Sequence, residues 1–411
     1  MKILKNFQRG NKTQLELIFY MSGKINTIYI TFDGITDPLG QSQVLPYLEG
    51  LSKNGIKFYL ISLEKNLKAT RKLSKNIENI GISWYRLKYF RFYFLGTFIN
   101  IIQCFALVFY LLLFKKIKII HSRSYAPLFS ALPLKKLFNF KLIFDMRGFW
   151  PEGLVETKRI KKDSLYYKML KFLERSGILF SDYIVVLTPE AKEIIESIYR
   201  DKKLKIIWMP TCVDCKKFIG KDPIYIKDKF VMVYSGSLWS HYDASAMIDF
   251  FKVLKSKIAN AHFLILGNND SEKLRSLFSQ RDIDEKDYTI FTLKSEDVPR
   301  YLLGSNLGIS FRYDRYSEKA TFPTKLAEYF ISGLPVVMNS ESSYIKKFVD
   351  SNKIGVVLEK TDNDSCKKAA EELILLLRDG DLKKRCIKTA EKYLSNKICV
   401  DKYMDIYKEL E

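Results

Sequence analysis

The chain is poor in the residues that interrupt or cross-link a fold. Its 411 residues include only 19 Gly, 11 Pro, 6 Cys and 3 His. So little Gly and Pro excludes collagen-like and low-complexity classes. Six cysteines at irregular positions (104, 212, 215, 366, 386, 399) make no disulfide framework and predict thiols in a reducing compartment. Cys212 and Cys215 form one CxxC, but no second pair follows at zinc spacing, so no metal site is expected. GxGxxG and GxxxxGK[ST] are both missing, which argues against a nicotinamide-cofactor site and excludes a P-loop. No helix-turn-helix, zinc-finger or RNA-recognition signature is present.

Acidic residues are scarce too: 46 Asp+Glu face 68 Lys+Arg, a net +22. Such a balance asks for an acidic partner, whether nucleic acid, an anionic membrane or phosphorylated substrates. The excess is local. Residues 1–213 hold 35 basic and 16 acidic side chains, residues 214–411 hold 33 and 30, and residues 51–150 alone hold 18 and 3. In that last stretch aromatics alternate with cations (WYRLKYFRFYF, 84–94), and no charge appears from 92 to 114. Twenty-three uncharged residues suffice to span a bilayer. Gly96, Thr97, Asn100 and Gln103 dilute the first half, however, and the segments on either side read as strands of one sheet. A buried helix and an interfacial helix with cationic flanks are the two readings left open.

Apolar residues are plentiful, 47% of the chain with 14% aromatic, and the length favours two cores. The first 23 residues carry no apolar core with a small-residue cleavage site, so they read as an extension, not a signal peptide. From Ile25 short β-rich runs alternate with helical segments (NTIYITFD, KFYLISLEK, IKIIHSRS, KLIFDMRG, DYIVVLTP, IIWMPTCV). After an aperiodic linker at 213–229 the alternation restarts (FVMVYSGS, AHFLILGN, YTIFTLKS, LGISFRYD, LPVVMNS, GVVLEK). This is an α/β pattern of parallel sheets in two doubly wound domains, which bind ligands at the carboxyl ends of their strands.

Two βα loops stand out. Asp33 to Gln43 (DGITDPLGQSQ) leads into a helix, with Gly40 permitting close backbone approach. Gly236 and Ser237 occupy the equivalent turn of the second domain. The strongest element is PTKLAEYFISGLPVV at 323–337. Thr321, Phe322, Pro323 and Thr324 enter a helix whose amides can meet phosphate oxygens, Lys325 adds charge, and Glu328 can accept both hydroxyls of a ribose. Asp145 and Arg147 follow a first-domain strand and are expected to face a cleft. Asp282 and Asp284 (DID) sit in a heavily charged stretch and read as a solvated loop.

Taken with IIHSRSYAP, FDMRGFWPE, LTPEAKE and MPTCVD, in that order, these segments resemble the family 4 retaining glycosyltransferases, in particular bacterial members that build surface polysaccharides. The resemblance runs from Ile25 to Leu410. It implies two Rossmann-like domains facing a central cleft, the GT-B fold. Residues 24–213 are then the acceptor-binding domain, 214–390 the nucleotide-sugar-binding domain, and 391–411 a helix crossing back. The implied activity is a metal-independent hexosyltransferase, needing no cofactor beyond its nucleotide diphosphate sugar donor. The acceptor would be lipid-linked or a polysaccharide, met at an anionic membrane on the cytoplasmic side, with no nucleic acid partner. Asp145 and Arg147 are the implied catalytic residues, and Glu328 matches the ribose-holding Glu of a Glu-x7-Glu pair. Two departures stand out: the first Glu of that pair falls at Ala320, which leaves Glu318 or backbone groups near Thr321 and Phe322 to take its place, and the loop Trp239-Ser240-His241-Tyr242 lacks a cation, which leaves Arg312 and Lys325 to meet the diphosphate. A non-catalytic scaffold of the same fold is the alternative that these departures favour.

Overall fold

The computed structural model describes residues 25–91, 93–238 and 241–411. The expected extension at 1–23 and the loop residues Trp239 and Ser240 lie outside them. In the first sheet the strands are β1 (Ile25–Thr31), β2 (Ile56–Glu64), β3 (Ser83–Lys88), β4 (Ile119–Arg123), β5 (Lys141–Asp145), β6 (Tyr183–Val186) and β7 (Ile206–Trp208). The second contains β8 (Phe230–Ser235), β9 (Ala261–Leu266), β10 (Tyr288–Phe291), β11 (Leu307–Ser310), β12 (Val336–Asn339) and β13 (Gly355–Leu358). The orders are β3-β2-β1-β4-β5-β6-β7 and β10-β9-β8-β11-β12-β13. The recorded pairings are parallel and the order turns back beside β1 and β8, so both sheets are doubly wound, as the strand and helix alternation predicts. Each central strand is a nearly unbroken apolar run because helices cover both faces; β9 (AHFLIL) is buried at every position.

By packing density the chain divides into two compact units, one of residues 1–145, 180–183 and 400–411, the other of 146–179 and 184–399. In the first, the segment left open at 92–114 carries the helix Tyr93–Phe114. Asn100, Cys104, Val108 and Leu111 are buried on its inner face, while Leu95, Phe98, Ile102, Phe109 and Leu113 are exposed on the opposite one. The entry to this helix is clamped. Asn100 Nδ2 donates to the Phe90 carbonyl at 3.0 Å, and the Phe90 amide donates to Asn100 Oδ1 at 3.1 Å. Gly96 is required here, since a Cβ would lie 2.6 Å from the Phe90 carbonyl oxygen.

One cysteine expectation is corrected. Cys104, Cys215, Cys366 and Cys386 are free, but Cys212 and Cys399 form a disulfide across 187 residues of sequence. The fold makes this pair by setting both sulfurs beside the Pro210 carbonyl, a proximity invisible in the spacing.

Candidate anion and hydroxyl site of the second unit

The helix Thr324–Ile331 begins after Pro323 with no side-chain cap; the Leu326 amide donates to the Pro323 carbonyl at 3.1 Å, which leaves the Thr324 and Lys325 amides open to an acceptor. Its apolar face, Leu326, Ala327, Phe330 and Ile331, is buried in the core, which fixes the orientation of the other residues. Lys325 is only 6% exposed. Its ammonium donates to the Tyr234 hydroxyl at 2.8 Å and sits 3.3 Å from the Tyr242 ring centroid and 4.0 Å from that of Tyr234. Among the described residues no carboxylate lies within ion-pair distance of it. Burial, reinforced by the nearby Arg312 charge, holds this ammonium well below the usual lysine range, with Glu328 pulling weakly the other way. A buried cation compensated only by aromatic faces is a strong attractor for an anion.

Glu328 lies three residues on, on the same helix face as Lys325. It is half-buried, and its carboxylate has no hydrogen-bond partner among the described residues. Burial pushes it up to about 7 against the pull of Lys325 and Lys217. Around this pair the turn after β8 is tightly built. Gly236 has φ +121°, and a Cβ there would come 3.7 Å from the Lys325 ammonium. The Asn269 side chain donates to the Gly236 carbonyl at 3.0 Å and accepts from the Leu238 amide at 3.0 Å. The Ser237 carbonyl accepts the Tyr234 hydroxyl at 2.8 Å.

Arg312 is not a free cation for a phosphate, as the sequence reading had it. Its guanidinium pairs with Glu318 Oε2 at 2.5 Å, donates to the Tyr242 hydroxyl at 3.2 Å and stacks on that ring. Asn339 locks its backbone at both the amide and the carbonyl. Glu318 Oε2 also accepts from the Thr321 hydroxyl at 2.8 Å, and His241 Nδ1 lies 3.4 Å from Oε1. Burial alone would raise this carboxyl, yet His241, Arg312 and Thr321 hold it down to about 2. The result is a rigid, internally neutralised rim, which with Pro323, Asn339 and Ser340 lines a small hollow. Phe322 contributes only its backbone: its ring is in the core, and its carbonyl accepts the Thr211 hydroxyl at 2.9 Å.

The Arg147-Gly148 turn joins this unit. Both residues have positive φ, +56° and +138°, and a Cβ on Gly148 would sit 3.6 Å from the Thr321 side chain and 3.7 Å from the Ala320 carbonyl. A non-glycine residue in the left-handed region is strained, and such strain concentrates at functional sites. Glu152 is taken by Lys171 at 2.7 Å. The structure thus assembles Arg147, Gly236, Ser237, Arg312, Glu318, Thr321, Pro323, Thr324, Lys325 and Glu328 in one unit.

Two sequence candidates lie in the other unit. Asp145 is not aimed into open space: it is fully buried, accepting from the Tyr403 hydroxyl at 3.2 Å and the Arg123 guanidinium at 3.5 Å. Arg123 in turn bonds Asp33 at 3.2 Å, and His121 Nδ1 lies 2.9 Å from the Tyr407 hydroxyl. The cause is the terminal helix Asn396–Leu410, which supplies both tyrosines. Gly40 also has a local role. A Cβ there would meet the Gly34 carbonyl oxygen at 2.1 Å, so the glycine lets the Asp33–Gln43 loop close on itself. Tyr242, Asn269 and Asn339 are site residues that the sequence pattern does not mark; an aromatic four residues beyond the Ser-Gly-Ser-Leu turn is the signal it offers for Tyr242.

Two doubly wound parallel sheets, with a buried cation and a half-buried carboxylate set on one helix beyond the strand ends, define an α/β protein with a candidate anion site. Family comparison sharpens this. Residues 42–217 match Glycosyltransferase Family 4, and residues 218–393 match Glycosyl transferases group 1. The chain belongs to the family 4 glycosyltransferases, with the GT-B fold. An uncharacterized glycosyltransferase of Methanocaldococcus jannaschii is 28% identical over 138 residues, 31% of this chain; the match spans only 34% of that relative's length. Among solved structures, sucrose-phosphate synthase of Thermosynechococcus elongatus superposes with TM-score 0.71 at 13% identity, covering 94% of this chain and 99% of that one. A glycosyltransferase of Rickettsia africae gives 0.69 at 15%, covering 95% and 99%. The Anabaena protein HepE, solved in complex with UDP-glucose, gives 0.66 at 8%, covering 93% and 99%. At such identities these structures bear on the fold.

Proposed function

We propose that the protein is a retaining hexosyltransferase that moves a sugar from a nucleotide diphosphate donor to a lipid-linked or polysaccharide acceptor, without a metal ion. The observation that carries the donor assignment is Lys325: among the described residues it is a buried ammonium with no carboxylate at ion-pair distance, at a helix start without a side-chain cap, one turn before a Glu328 carboxylate with no hydrogen-bond partner. A diphosphate satisfies Lys325 and the open amides, and the ribose diol satisfies the Glu328 carboxylate. Gly236 keeps the floor of this space free of a side chain.

In the transfer, the bond from the anomeric carbon to the phosphate oxygen breaks and a bond from that carbon to the acceptor oxygen forms on the same face. The acceptor proton passes to the leaving diphosphate. The charge on that leaving group grows as the bond breaks, and Lys325 with the helix amides is positioned to stabilise it. Arg147, held at positive φ next to Gly148, is the candidate for a further contact to donor or acceptor phosphate. Asp145, being buried, acts as a positioning residue that holds Arg123 and Tyr403. Arg312 and Glu318 keep the rim rigid.

The basic excess in residues 51–150 supports an acceptor presented at an anionic membrane. Ala320 in place of a carboxylate favours the second reading, a non-catalytic scaffold of a polysaccharide assembly complex. Calorimetry with UDP-, GDP- and dTDP-sugars tests the donor assignment, and Lys325→Met is expected to abolish the heat of binding. Unchanged affinity in that variant overturns it. Donor binding without release of nucleoside diphosphate in the presence of membranes carrying acceptor favours the scaffold.

A further inference from the structure

The exposed apolar face of the helix Tyr93–Phe114 is a feature that the donor site does not use. Leu95, Phe98, Ile102, Phe109 and Leu113 follow one another at three-, four- and seven-residue steps along one side; Leu95 is 65% exposed, Phe98 60% and Leu113 54%. Phe114, 65% exposed, closes the row and packs its ring against Tyr110. The inner face is committed to the fold, through the buried Asn100, Cys104, Val108 and Leu111. A helix apolar all round belongs in a core or in lipid. Only one stripe of this one is in the core.

The surroundings specify what covers the rest. From residue 83 to residue 118 there are six basic side chains and no acidic one: Arg86, Lys88, Arg91, Lys115, Lys116 and Lys118. All six are exposed, and only Lys118 has a carboxylate partner among the described residues, Glu411 at 3.6 Å. A second copy of the chain docking through this face would bring two such cationic collars together at a cost in repulsion. An anionic bilayer neutralises them instead.

The helix cannot cross that bilayer. β3 before it and β4 after it belong to one sheet, with β2 and β1 between them, and both ends therefore stay on the same side. At 22 residues it is about 33 Å long and can lie flat. We propose that the Tyr93–Phe114 helix is an in-plane membrane-docking element, its Leu95-Phe98-Ile102-Phe109-Leu113-Phe114 row entering the boundary between headgroups and acyl chains of an anionic membrane. Arg91 at one end and Lys115 and Lys116 at the other meet the headgroups. The proposal rests on the membrane-facing acceptor reading and names the surface that carries it.

The test is flotation of the full-length protein with vesicles of phosphatidylcholine alone and of an equal mixture with phosphatidylglycerol. Wild type should float with the mixture and far less with phosphatidylcholine. Phe98→Gln/Ile102→Gln/Leu113→Gln should weaken binding at least about ten-fold, and Lys115→Gln/Lys116→Gln about ten-fold, most visibly at low salt. Donor affinity by calorimetry should be unchanged in both variants, which certifies their fold. If wild type floats and the triple variant floats equally well, the helix assignment falls while the membrane reading stands. If wild type ignores the anionic vesicles, the membrane reading falls and takes the helix with it. A wild-type dimer that the triple variant converts to monomer, seen by light scattering, also overturns the proposal and makes the face a contact between copies.

Discussion

Lys325 and Glu328 have opposite electrostatic problems on one turn of helix, and together they set the pH dependence of donor binding. A lysine held below its usual range loses its proton as pH rises, and an incoming diphosphate stabilises the charged form, so binding takes up a proton. Glu328, raised to about 7, must ionise to accept two ribose hydroxyls, so its contribution grows as pH passes upward through about 7. Donor affinity in wild type should therefore rise as pH passes upward through about 7, where Glu328 ionises, with loss of the Lys325 proton working against it as pH rises. Calorimetry across pH checks this: Glu328→Gln should flatten the acid limb and weaken binding about ten-fold, the scale of a lost charged hydrogen bond. Glu318 is the contrasting case. Its pKa of about 2 in the fold lies below the ordinary 4.5, so its contribution to stability is full above 4.5 and lost as pH falls from there to 2. That amounts to about 3 kcal/mol. Denaturant unfolding should show the acid loss in wild type and a correspondingly smaller one in Glu318→Gln.

The short elements that carry the site depend on glycine and on buried pairing. Gly40→Ala places a Cβ inside contact distance of the Gly34 carbonyl, and overpacking of this kind costs about 1–3 kcal/mol. Thermal unfolding should register that loss while donor affinity stays near wild type, since Gly40 belongs to the other unit. Gly236→Ala should do the reverse to function: at φ +121° it strains the turn that lies against Lys325, and donor affinity should fall together with stability. Asp145→Asn removes the charge that the buried Arg123 faces, for about 1–3 kcal/mol of stability. It is expected to suppress transfer with donor binding nearly intact, and a radiolabelled-sugar assay beside calorimetry separates the two effects.

For the molecule as a whole, the periodicity carried most of the architecture. Twelve apolar runs read from the chain coincide with strands, because a parallel strand covered by helices on both faces must be continuously apolar, and that is a local property. β3 was harder to recognise, since an edge strand with alternating cations looks equally like a solvated or base-stacking segment. The helix start at Pro323-Thr324-Lys325 was legible for the same reason: a Pro entry and a Gly-Leu-Pro exit are local signals. On the chemistry, activity should survive EDTA, and a strict Mg²⁺ or Mn²⁺ requirement would overturn the metal-independent mechanism.

What could not be read along the chain is who neutralises whom. Arg312 and Lys325 look alike as cations in sequence, yet one is spent on Glu318 and the other is left facing two tyrosine rings from β8 and the loop beyond it. Asp145 looks like a loop carboxylate poised for chemistry, until a helix more than 250 residues later closes Tyr403 over it. The net +22 is a matter of composition, but its meaning depends on a helix having one face inside the fold and the other outside. Local patterning is written into neighbouring residues because backbone hydrogen bonding and side-chain periodicity act over a few positions. Charge pairing and burial are set by distances in space, and those exist only once the chain has packed.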